Sequence, residues 1–403
     1  MLAGMGRVYW LRVFLLTFVL GTAPLARGQH ASRQGSQRVP HAAASARSAQ
    51  AAPIPAAEFS RIVQEFSEPG GYFQSDNFTS NETSYLHVVP KLKELGISGG
   101  AYIGVGPEQN FTYIAKVRPA IAFIVDIRRE AILQHLLYKA IFHLAKDRAE
   151  FLSLLFSRPL STTRAEARGT LLDLLKYMDQ ASSSRELFNK NLNAIREAIT
   201  EEFRIPLSGA DLETLTYIDY VFWRLGIRIA WGQGFPNLAD LILETDLDGH
   251  LGNYLASEED FQFVRRLQES NRVIPVVGDF GGTKALASVA GYLKKNGYTV
   301  SAFYTSNVEE YLYANDAFGG FAENVRKLPI NDRSVFIRSV KAYLARHPAS
   351  VPGYRMISLL EKIPVFLDDY DNGRYSDYSD LVSTHYIGAT KSPEKSAPAL
   401  QSR

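Results

Sequence analysis

Two glycines and an aspartate about twenty residues apart have the types and spacing of a nucleotide-binding site. Gly104 and Gly106 stand in the segment Gly104-Val105-Gly106-Pro107, and Asp126 ends the apolar run 121–126. Glycine has no Cβ, so the chain can turn sharply after a strand and a ligand can approach its backbone closely. A helix that follows would point its N-terminal N–H groups at the ligand, and an acid ending the next strand can accept hydrogen bonds from ribose hydroxyls. The pairing predicts a Rossmann-like ligand site, whereas a lone Gly-x-Gly is equally consistent with an ordinary turn.

The residues after the second glycine favour S-adenosylmethionine (SAM) over a dinucleotide. The third glycine of the dinucleotide fingerprint would fall at position 109, which is Gln. Pro107 and Glu108 precede it, and a glutamate at a helix N-terminus would repel a pyrophosphate. SAM has no phosphate and carries a cationic sulfonium and an amino group. We therefore expect Pro107 and Glu108 to join the two glycines in a SAM site. An NAD-type oxidoreductase is the weaker interpretation, and a Rossmann-like sheet without a ligand remains open.

Polar residues after two later apolar runs are further candidates. Asp279 and Phe280 follow the run 273–277, and open α/β sheets bind ligands at the carboxyl ends of their strands. A solvated turn is an equally good interpretation of Asp279. Asn307 and Glu309 come after another run, where they could orient a nucleophile and take its proton. Alternatively, Asn307 simply caps the next helix.

Glu82, in the segment Ser80-Asn81-Glu82, lies just before the core. The segment could fold over the ligand, with Glu82 reaching the sulfonium or the amino group of SAM. The start of a helix is the competing interpretation.

The elements that must position these residues alternate between strands and helices. Apolar runs predict strands near 99–104, 121–126, 273–277, 299–304 and 334–338, with helices between them. Runs that are apolar at nearly every position suit a parallel sheet covered on both faces. Single long helices are expected over 128–156 and 308–328. The sequence thus predicts an α/β fold with a Rossmann-like, mostly parallel sheet, flanking helices, and a large helical insertion after the second strand, at about 130–270.

Three segments resemble motifs of class I SAM-dependent methyltransferases. They are Tyr102-Ile-Gly-Val-Gly-Pro-Glu-Gln-Asn-Phe, Ile121-Ala-Phe-Ile-Val-Asp-Ile-Arg-Arg and Val276-Val-Gly-Asp-Phe. From about Phe66 to Val340 the chain also resembles a family of uncharacterised bacterial methyltransferase-like proteins. The resemblance implies that Gly104 and Gly106 flank the methionine part of SAM, that Asp126 holds the ribose, and that Asp279 with Phe280 holds the adenine. It implies no substrate. The sequence departs from the pattern after the fourth strand, where many nitrogen-modifying members have Asn/Asp-Pro-Pro-Tyr/Phe and this chain has Tyr304-Thr-Ser-Asn-Val-Glu.

The N-terminal leader has the composition of an export signal. Its basic start, short apolar stretch and small-residue exit predict a secretory signal peptide over 1–28, with an uncleaved anchor as the alternative. Residues 29–57 read as a disordered linker, 58–98 as an N-terminal helical segment, 99–390 as the Rossmann-like domain and 391–403 as a disordered tail. Export would place the protein in the periplasm or outside the cell; a wrongly assigned start would leave it in the cytoplasm.

Charge and composition narrow the possible partners. The 403-residue chain has a formal net charge of +2, but its first 57 residues hold six arginines and no acid, so the remainder carries 38 basic and 42 acidic residues. That balance gives no electrostatic case for nucleic acid. Beyond a possible uncleaved anchor we expect no membrane association, since 21% of the residues are charged. Cysteine is absent, which excludes thiolate metal sites and cysteine nucleophiles.

We expect no metal site. His135 and His143 are two helical turns apart without a Glu-x-x-His arrangement. Asp369-x-Asp371-Asn372-Gly373 resembles a calcium loop, but its glycine stands at the fifth position and its twelfth residue is Asp380, so a polar turn is favoured.

Two hypotheses follow. The first is a SAM-binding, methyltransferase-like protein that acts on a small substrate under a helical cap. The second is a non-enzymatic exported protein that binds another ligand or a partner on the same fold, and export favours it, because SAM is made in the cytoplasm.

Overall fold

A computed structural model describes residues 52–160, 169–342 and 347–389. These residues all belong to the unit formed by residues 43–403, so the predicted signal peptide, most of the predicted linker and the predicted tail lie outside the described residues. The strands are β1 (Ala101–Gly104), β2 (Ile121–Asp126), β3 (Val273–Val277), β4 (Val300–Ser306), β5 (Val335–Lys341), β6 (Met356–Lys362) and β7 (Ile387–Gly388).

Helices cover both faces of the sheet. In chain order they are α1 (Ala56–Phe66), α2 (Val89–Glu94), α3 (Gln109–Val117), α4 (Arg129–Leu144), α5 (Arg148–Phe156), α6 (Leu171–Gln180), α7 (Arg185–Glu197), α8 (Gly209–Leu225), α9 (Leu238–Ile242), α10 (Glu258–Glu269), α11 (Ala285–Lys295), α12 (Val308–Ala314), α13 (Phe318–Arg326), α14 (Ile363–Asp371) and α15 (Tyr378–Ser383). Single turns of 3₁₀-helix at Thr83–Leu86 and Gly226–Arg228 and a π-helical turn at Ala198–Glu202 add to them. None of the helices in the described ranges combines the length and the apolar character that crossing a bilayer requires.

The strands form one sheet in the order β3-β2-β1-β4-β5-β6-β7. The first five are parallel to one another, whereas β6 runs antiparallel to β5 and β7 antiparallel to β6. Helices α4 to α10 all lie between β2 and β3 in the chain. The α/β class, the mostly parallel Rossmann-like sheet and the helical insertion after the second strand are therefore confirmed.

The apolar runs form the centre of the sheet. Every residue of β1 and β2 is buried, which explains why both runs are apolar almost throughout. The two edges are β3 and β7. Pro275 lies in the middle of β3, in register with Ile124 of β2, and β7 has two residues.

Both of the predicted long helices are interrupted. The helix expected over 128–156 stops at Leu144, and Asp147 begins α5 by accepting hydrogen bonds from the backbone N–H groups of Ala149 and Glu150. Aspartate prefers this N-cap position because its carboxylate satisfies N–H groups that lack partners in the first turn. The helix expected over 308–328 breaks at Asp316, whose φ of 55° is left-handed.

The end of the predicted linker is ordered, which corrects the expectation for residues 52–57. Ile54 is buried, its backbone N–H donates to Ser270 O, and its carbonyl oxygen accepts from Asn271 Nδ2. Helix α1 begins at Ala56, still within the range assigned to the linker.

A buried ion cluster joins the sheet to the helices on one of its faces. Arg338 of β5 donates from Nε to Glu309 of α12 at 2.9 Å and from Nη1 to Glu361 of β6, and all three side chains are at most 3% exposed. Burial disfavours the guanidinium, but the two carboxylates outweigh burial and raise the pKa of Arg338 above its usual value.

We expect Arg338→Met to destabilise the fold by about 3–5 kcal/mol, because it leaves two buried carboxylates without a counter-charge. Arg326→Met is the matched control, since the Arg326–Asp371 pair is solvent-exposed and such pairs contribute little. Urea unfolding of both variants measures the difference. Equal stabilities would show that the cluster is not a structural constraint.

Candidate functional site

The candidate site lies at the carboxyl ends of β1 and β4. The chain runs from β1 outward to β2 and β3 on one side, then crosses over to β4 on the other. In open α/β sheets this switch of direction leaves a crevice between the two central strands, where ligands bind. Gly104 ends β1 and Gly106 lies in the turn that follows it, and the residues that end β4 are Tyr304, Thr305 and Ser306.

A segment of the chain lies across this edge of the sheet. We call residues 67–88 the covering segment; it connects α1 to α2. It makes contacts, in turn, near the ends of β3, β2, β1, β4 and β6. The contacts are Glu68 N to Val277 O at 2.9 Å, Gly71 N to Ile127 O at 2.8 Å, Arg128 Nη1 to Asp76 O at 2.6 Å, Thr79 Oγ1 to Glu108 Oε1 at 3.2 Å, Glu82 to Ser306, and Ser84 Oγ to Ser358 Oγ at 3.2 Å.

Glu82 is the centre of the polar contacts in the crevice. Its carboxylate accepts hydrogen bonds from Tyr304 Oη at 2.8 Å, Gln109 Nε2 at 3.0 Å and Ser306 Oγ. The side chain is buried, and burial raises the pKa of Glu82, although these hydrogen bonds and Ser339 oppose the increase. Ser306 has a left-handed φ of 54°, a strained conformation for serine. The segment Ser80-Asn81-Glu82 therefore contacts the end of β4 and the start of α3, and Glu82 also precedes the 3₁₀ turn Thr83–Leu86, as the competing interpretation of a helix start expected.

Gly104 is required by a side chain of the protein itself. A Cβ at this position would lie 2.0 Å from Asn110 Oδ1. Asn110 Nδ2 donates to the carbonyl oxygens of Val105, Gly106 and Pro107 at 2.8–3.1 Å, and its Oδ1 accepts from Tyr102 Oη at 2.9 Å. The close approach expected of a ligand at Gly104 is thus made by Asn110.

Gly106 has room beside it. Its φ of 77° requires glycine, and a Cβ there would meet nothing within 4 Å. His135 Nε2 lies 2.8 Å from the Gly106 carbonyl oxygen. Burial lowers the pKa of His135 to about 4, so the ring is neutral near pH 7 and Nε2 carries its proton. Nδ1 is then a hydrogen-bond acceptor, and it is buried without a partner.

Glu108 is a second buried carboxyl group beside the loop. Thr79 donates to its Oε1, while Oε2 has no partner. Burial raises the pKa of Glu108 to about 7. The side chain also lines a small cavity of about 10 Å³, which is the size that holds one water molecule. Tyr138, Tyr254 and aliphatic side chains form the rest of its wall.

Asp126 is already engaged. Its Oδ1 accepts from Arg128 N at 3.0 Å and Nε at 3.2 Å, and its Oδ2 accepts from Arg128 Nη2 at 3.2 Å. Arg128 in turn donates to the carbonyl oxygens of Ser75 and Asp76 in the covering segment. The pair therefore ties the end of β2 to the covering segment.

The residues expected to hold adenine have internal partners. Phe280 is 3% exposed and packs against Phe303 and Phe321 in the core, with ring centroids 5.0 and 5.9 Å away. Asp279 accepts from Gly281 N at 2.9 Å. The carboxylate of Glu68, from the covering segment, accepts from the N–H groups of Lys284 and Ala285 where α11 begins.

The two candidate catalytic residues lie beyond β4 and bond to other side chains. Asn307 Nδ2 donates to Glu310 Oε2 at 3.1 Å, and it makes no side-chain cap to α12. Glu309 is fully buried, with Oε1 on Arg338 and Oε2 unpartnered.

Sequence reasoning missed several residues of the crevice. Gln109 was noted only for not being glycine, Tyr304 only as part of an unusual motif, and Thr79, Ser306 and His135 received no role in the crevice. Most of these residues contact partners that are distant in the chain. The separations are 27 to 224 residues for the contacts of Gln109, Thr79, Tyr304 and Ser306. The strongest available signal was the position of Tyr304 and Ser306 at the end of a predicted strand.

The residues examined for metals lie elsewhere. Asp369 bonds to Tyr375, Arg374 and His385 rather than forming a loop around a cation. In the described ranges one group of side chains comes close enough together to hold an ion, namely Asp246, Asp248 and His250. They lie in a turn in which Asp246 Oδ1 accepts hydrogen bonds from the backbone N–H groups of Asp248 and His250.

Comparison with known proteins places the chain in a family without assigning a ligand. The chain belongs to the family described as "Domain of unknown function (DUF7790)", whose model matches residues 77–386. No curated protein matches the chain. The matched range includes Thr79, Glu82 and the crevice residues that follow them.

Glu108→Gln should flatten the dependence of stability on pH. The pKa of Glu108 in the folded state, about 7, lies above the usual glutamate value of 4.5 that applies to the unfolded chain, so the native state binds the proton more tightly than the unfolded state. This stabilisation is complete below pH 4.5 and is lost as the pH rises to 7, amounting to about 3 kcal/mol. Glutamine is neutral throughout, so the variant should lack this part of the loss. Urea unfolding between pH 4.5 and 8 measures it.

Glu259→Gln is the control, because Glu259 is an exposed carboxylate on α10. If Glu108→Gln and the wild type lose the same stability over this interval, the pKa of Glu108 is not raised in the folded protein.

Proposed function

We propose that this member of the DUF7790 family binds a small, positively charged ligand in the crevice between β1 and β4, with SAM as the leading candidate. The observation that supports the proposal is a set of three buried hydrogen-bond acceptors without partners around the Gly104–Pro107 turn. They are Glu108 Oε2, Gln109 Oε1 and His135 Nδ1. Buried polar atoms are seldom left unpaired, because each costs free energy comparable to a lost hydrogen bond.

Unpartnered acceptors suit a ligand that carries hydrogen-bond donors, and two carboxyl groups, those of Glu82 and Glu108, lie near these acceptors. An ammonium group offers three N–H donors and a positive charge. It would pair with acceptors of this kind and would stabilise the ionised forms of Glu82 and Glu108, whose pKa values burial has raised. A phosphate would meet two carboxyl groups instead. The electrostatics therefore favour a ligand with an amine and argue against a dinucleotide.

The fit to SAM is good at one end of that molecule. Its amino group suits the acceptors around Gly106, and its sulfonium suits Glu82 in the covering segment. The ribose and adenine assignments fit less well. Asp126 could accept from a ribose only in exchange for Arg128, and Phe280 is packed inside the core. The proposal therefore relies on Gly106, Glu82 and Glu108.

Binding without methyl transfer is the form of the proposal that the side chains favour. SAM, when bound, supplies an electrophilic methyl group, and a methyltransferase must place a nucleophile in line with it. Glu309 is fully buried and paired through Oε1 with Arg338, and Asn307 donates to Glu310, so both side chains are held by other residues of the protein. The non-enzymatic alternative thus rests on these two internal pairs.

The test is calorimetric titration of the protein with SAM and with S-adenosylhomocysteine, which lacks the sulfonium charge. We expect SAM to bind and S-adenosylhomocysteine, which keeps the amino group but lacks the sulfonium charge, to bind more weakly. Glu82→Gln should weaken SAM binding by about tenfold or more, because it removes a charge-assisted contact. Glu259→Gln should leave the affinity unchanged.

Absence of heat with millimolar SAM, in a protein that unfolds cooperatively, would refute the cofactor assignment. Release of S-adenosylhomocysteine during incubation with SAM and a mixture of small amines would refute the non-enzymatic form and support methyl transfer.

A further inference from the structure

We propose a second ligand site, for a phosphate monoester attached to an apolar group, in a groove beside α14. The groove is a shallow depression that is largely open to solvent, with a volume of about 580 Å³, and it shares no lining residue with the crevice. Its walls are Lys362, Pro364, Val365, Asp368, Asp369, His385 and Tyr386.

The groove contains a histidine held by a buried aspartate. His385 Nδ1 lies 2.6 Å from Asp369 Oδ2, and Asp369 is 1% exposed. With Nδ1–H on the carboxylate, Nε2 is the ring nitrogen left for a ligand, because the bond at one nitrogen determines the role of the other. A side chain half open to solvent thus has a fixed orientation.

Two further side chains contact the aspartate that holds this histidine. Tyr375 Oη lies 3.2 Å from the same Asp369 oxygen, and Arg374 Nε lies 3.2 Å from the other one. His385 itself has a left-handed φ of 49°. Such a conformation costs free energy and persists only where the surroundings enforce it, which is a pattern common at ligand sites.

A cation and a helix start lie in the same groove. Lys362 is the N-cap residue of α14, and Pro364 and Val365 belong to its first turn. The lining residues of α14 run along one side of the helix, from Lys362 at its start to Asp369. Lysine is a common phosphate ligand in proteins.

A phosphate monoester can bind both His385 and Lys362, whether the imidazole ring of His385 is neutral or protonated. Its second pKa is about 6, so near neutral pH the dianion predominates and the monoanion, which keeps one P–OH group, is also populated. A P–OH group can donate to a neutral His385 Nε2, and a dianion can accept from the protonated ring. In both cases another phosphate oxygen remains for Lys362. A carboxylate, which is fully ionised at this pH, lacks the first of these options.

The remaining walls define the rest of the ligand. Pro364, Val365 and the ring of Tyr386 are apolar surfaces that suit a hydrocarbon or aromatic group. Asp368 is exposed at the same groove and opposes additional negative charge. The site therefore fits one phosphate group rather than a polyphosphate.

The experiment is calorimetric titration of the full chain with phenyl phosphate, and with benzoate as the carboxylate counterpart. We expect saturable binding of phenyl phosphate and binding of benzoate at least about tenfold weaker. His385→Gln, which keeps a donor for Asp369 but removes the ring, should weaken phenyl phosphate binding by about tenfold. Lys362→Met, which removes the cation of the groove but leaves the contacts of Asp369 in place, should do the same.

The matched control is His250→Gln. His250 also lies next to an aspartate, with Nδ1 3.3 Å from Asp246 Oδ2, but it lies outside the groove, so this variant should bind like the wild type. No saturation at about 10 mM phenyl phosphate would overturn the proposal. An unchanged affinity in Lys362→Met would overturn it as well, even if His385→Gln failed to fold. Benzoate binding as tightly as phenyl phosphate would show a general anion site instead.

Discussion

The burial of the Glu82 carboxylate at the carboxyl edge of the sheet is the interaction on which the rest of the site depends. A carboxylate removed from water needs several hydrogen bonds, and Tyr304, Gln109 and Ser306 supply them from β4 and α3. These bonds hold the covering segment across the place where an open α/β sheet receives its ligands. The turn after β1, the end of β4 and the chain before the core are therefore one unit, and a ligand must either join this network or displace part of it.

Two groups of buried acids differ in how their charge is balanced. In the cluster of β5, β6 and α12, Arg338 is neutralised by Glu309 and Glu361, and every charge of that cluster has an opposite charge in contact. In the crevice, Glu82 and Glu108 have neutral partners only. A buried cluster that is balanced by opposite charges needs no further partner, whereas buried acids with neutral partners only can still pair with a cation. This difference separates the structural acids from the candidate binding acids more clearly than their positions in the sequence do.

Local patterns were enough to predict the parallel half of the sheet. The runs that became β1, β2 and β3 are apolar because both faces of those strands are covered, and the predicted acid and glycines do lie at or just after the carboxyl ends of β1 and β2. The breaks at Asp147 and Asp316 were harder to foresee, because an apolar helical spacing continues through them and only capping interrupts it. The sequence pattern does not indicate which side chain each acid contacts. Asp126 and Glu309 are equally plausible candidates in the sequence, but in the structure Asp126 pairs with Arg128, two residues further along the chain, and Glu309 pairs with Arg338 on β5.

The two ends of the sheet have a consequence for the protein in a crowded solution. An edge strand presents unpaired N–H and C=O groups to which a strand from another molecule can add, and this addition starts aggregation. Pro275 removes an N–H donor from the middle of β3, and β7 is too short to serve as a template. Both borders therefore resist the growth of the sheet from one molecule into the next, and a chain with a seven-stranded sheet and no disulfides can remain separate from its copies.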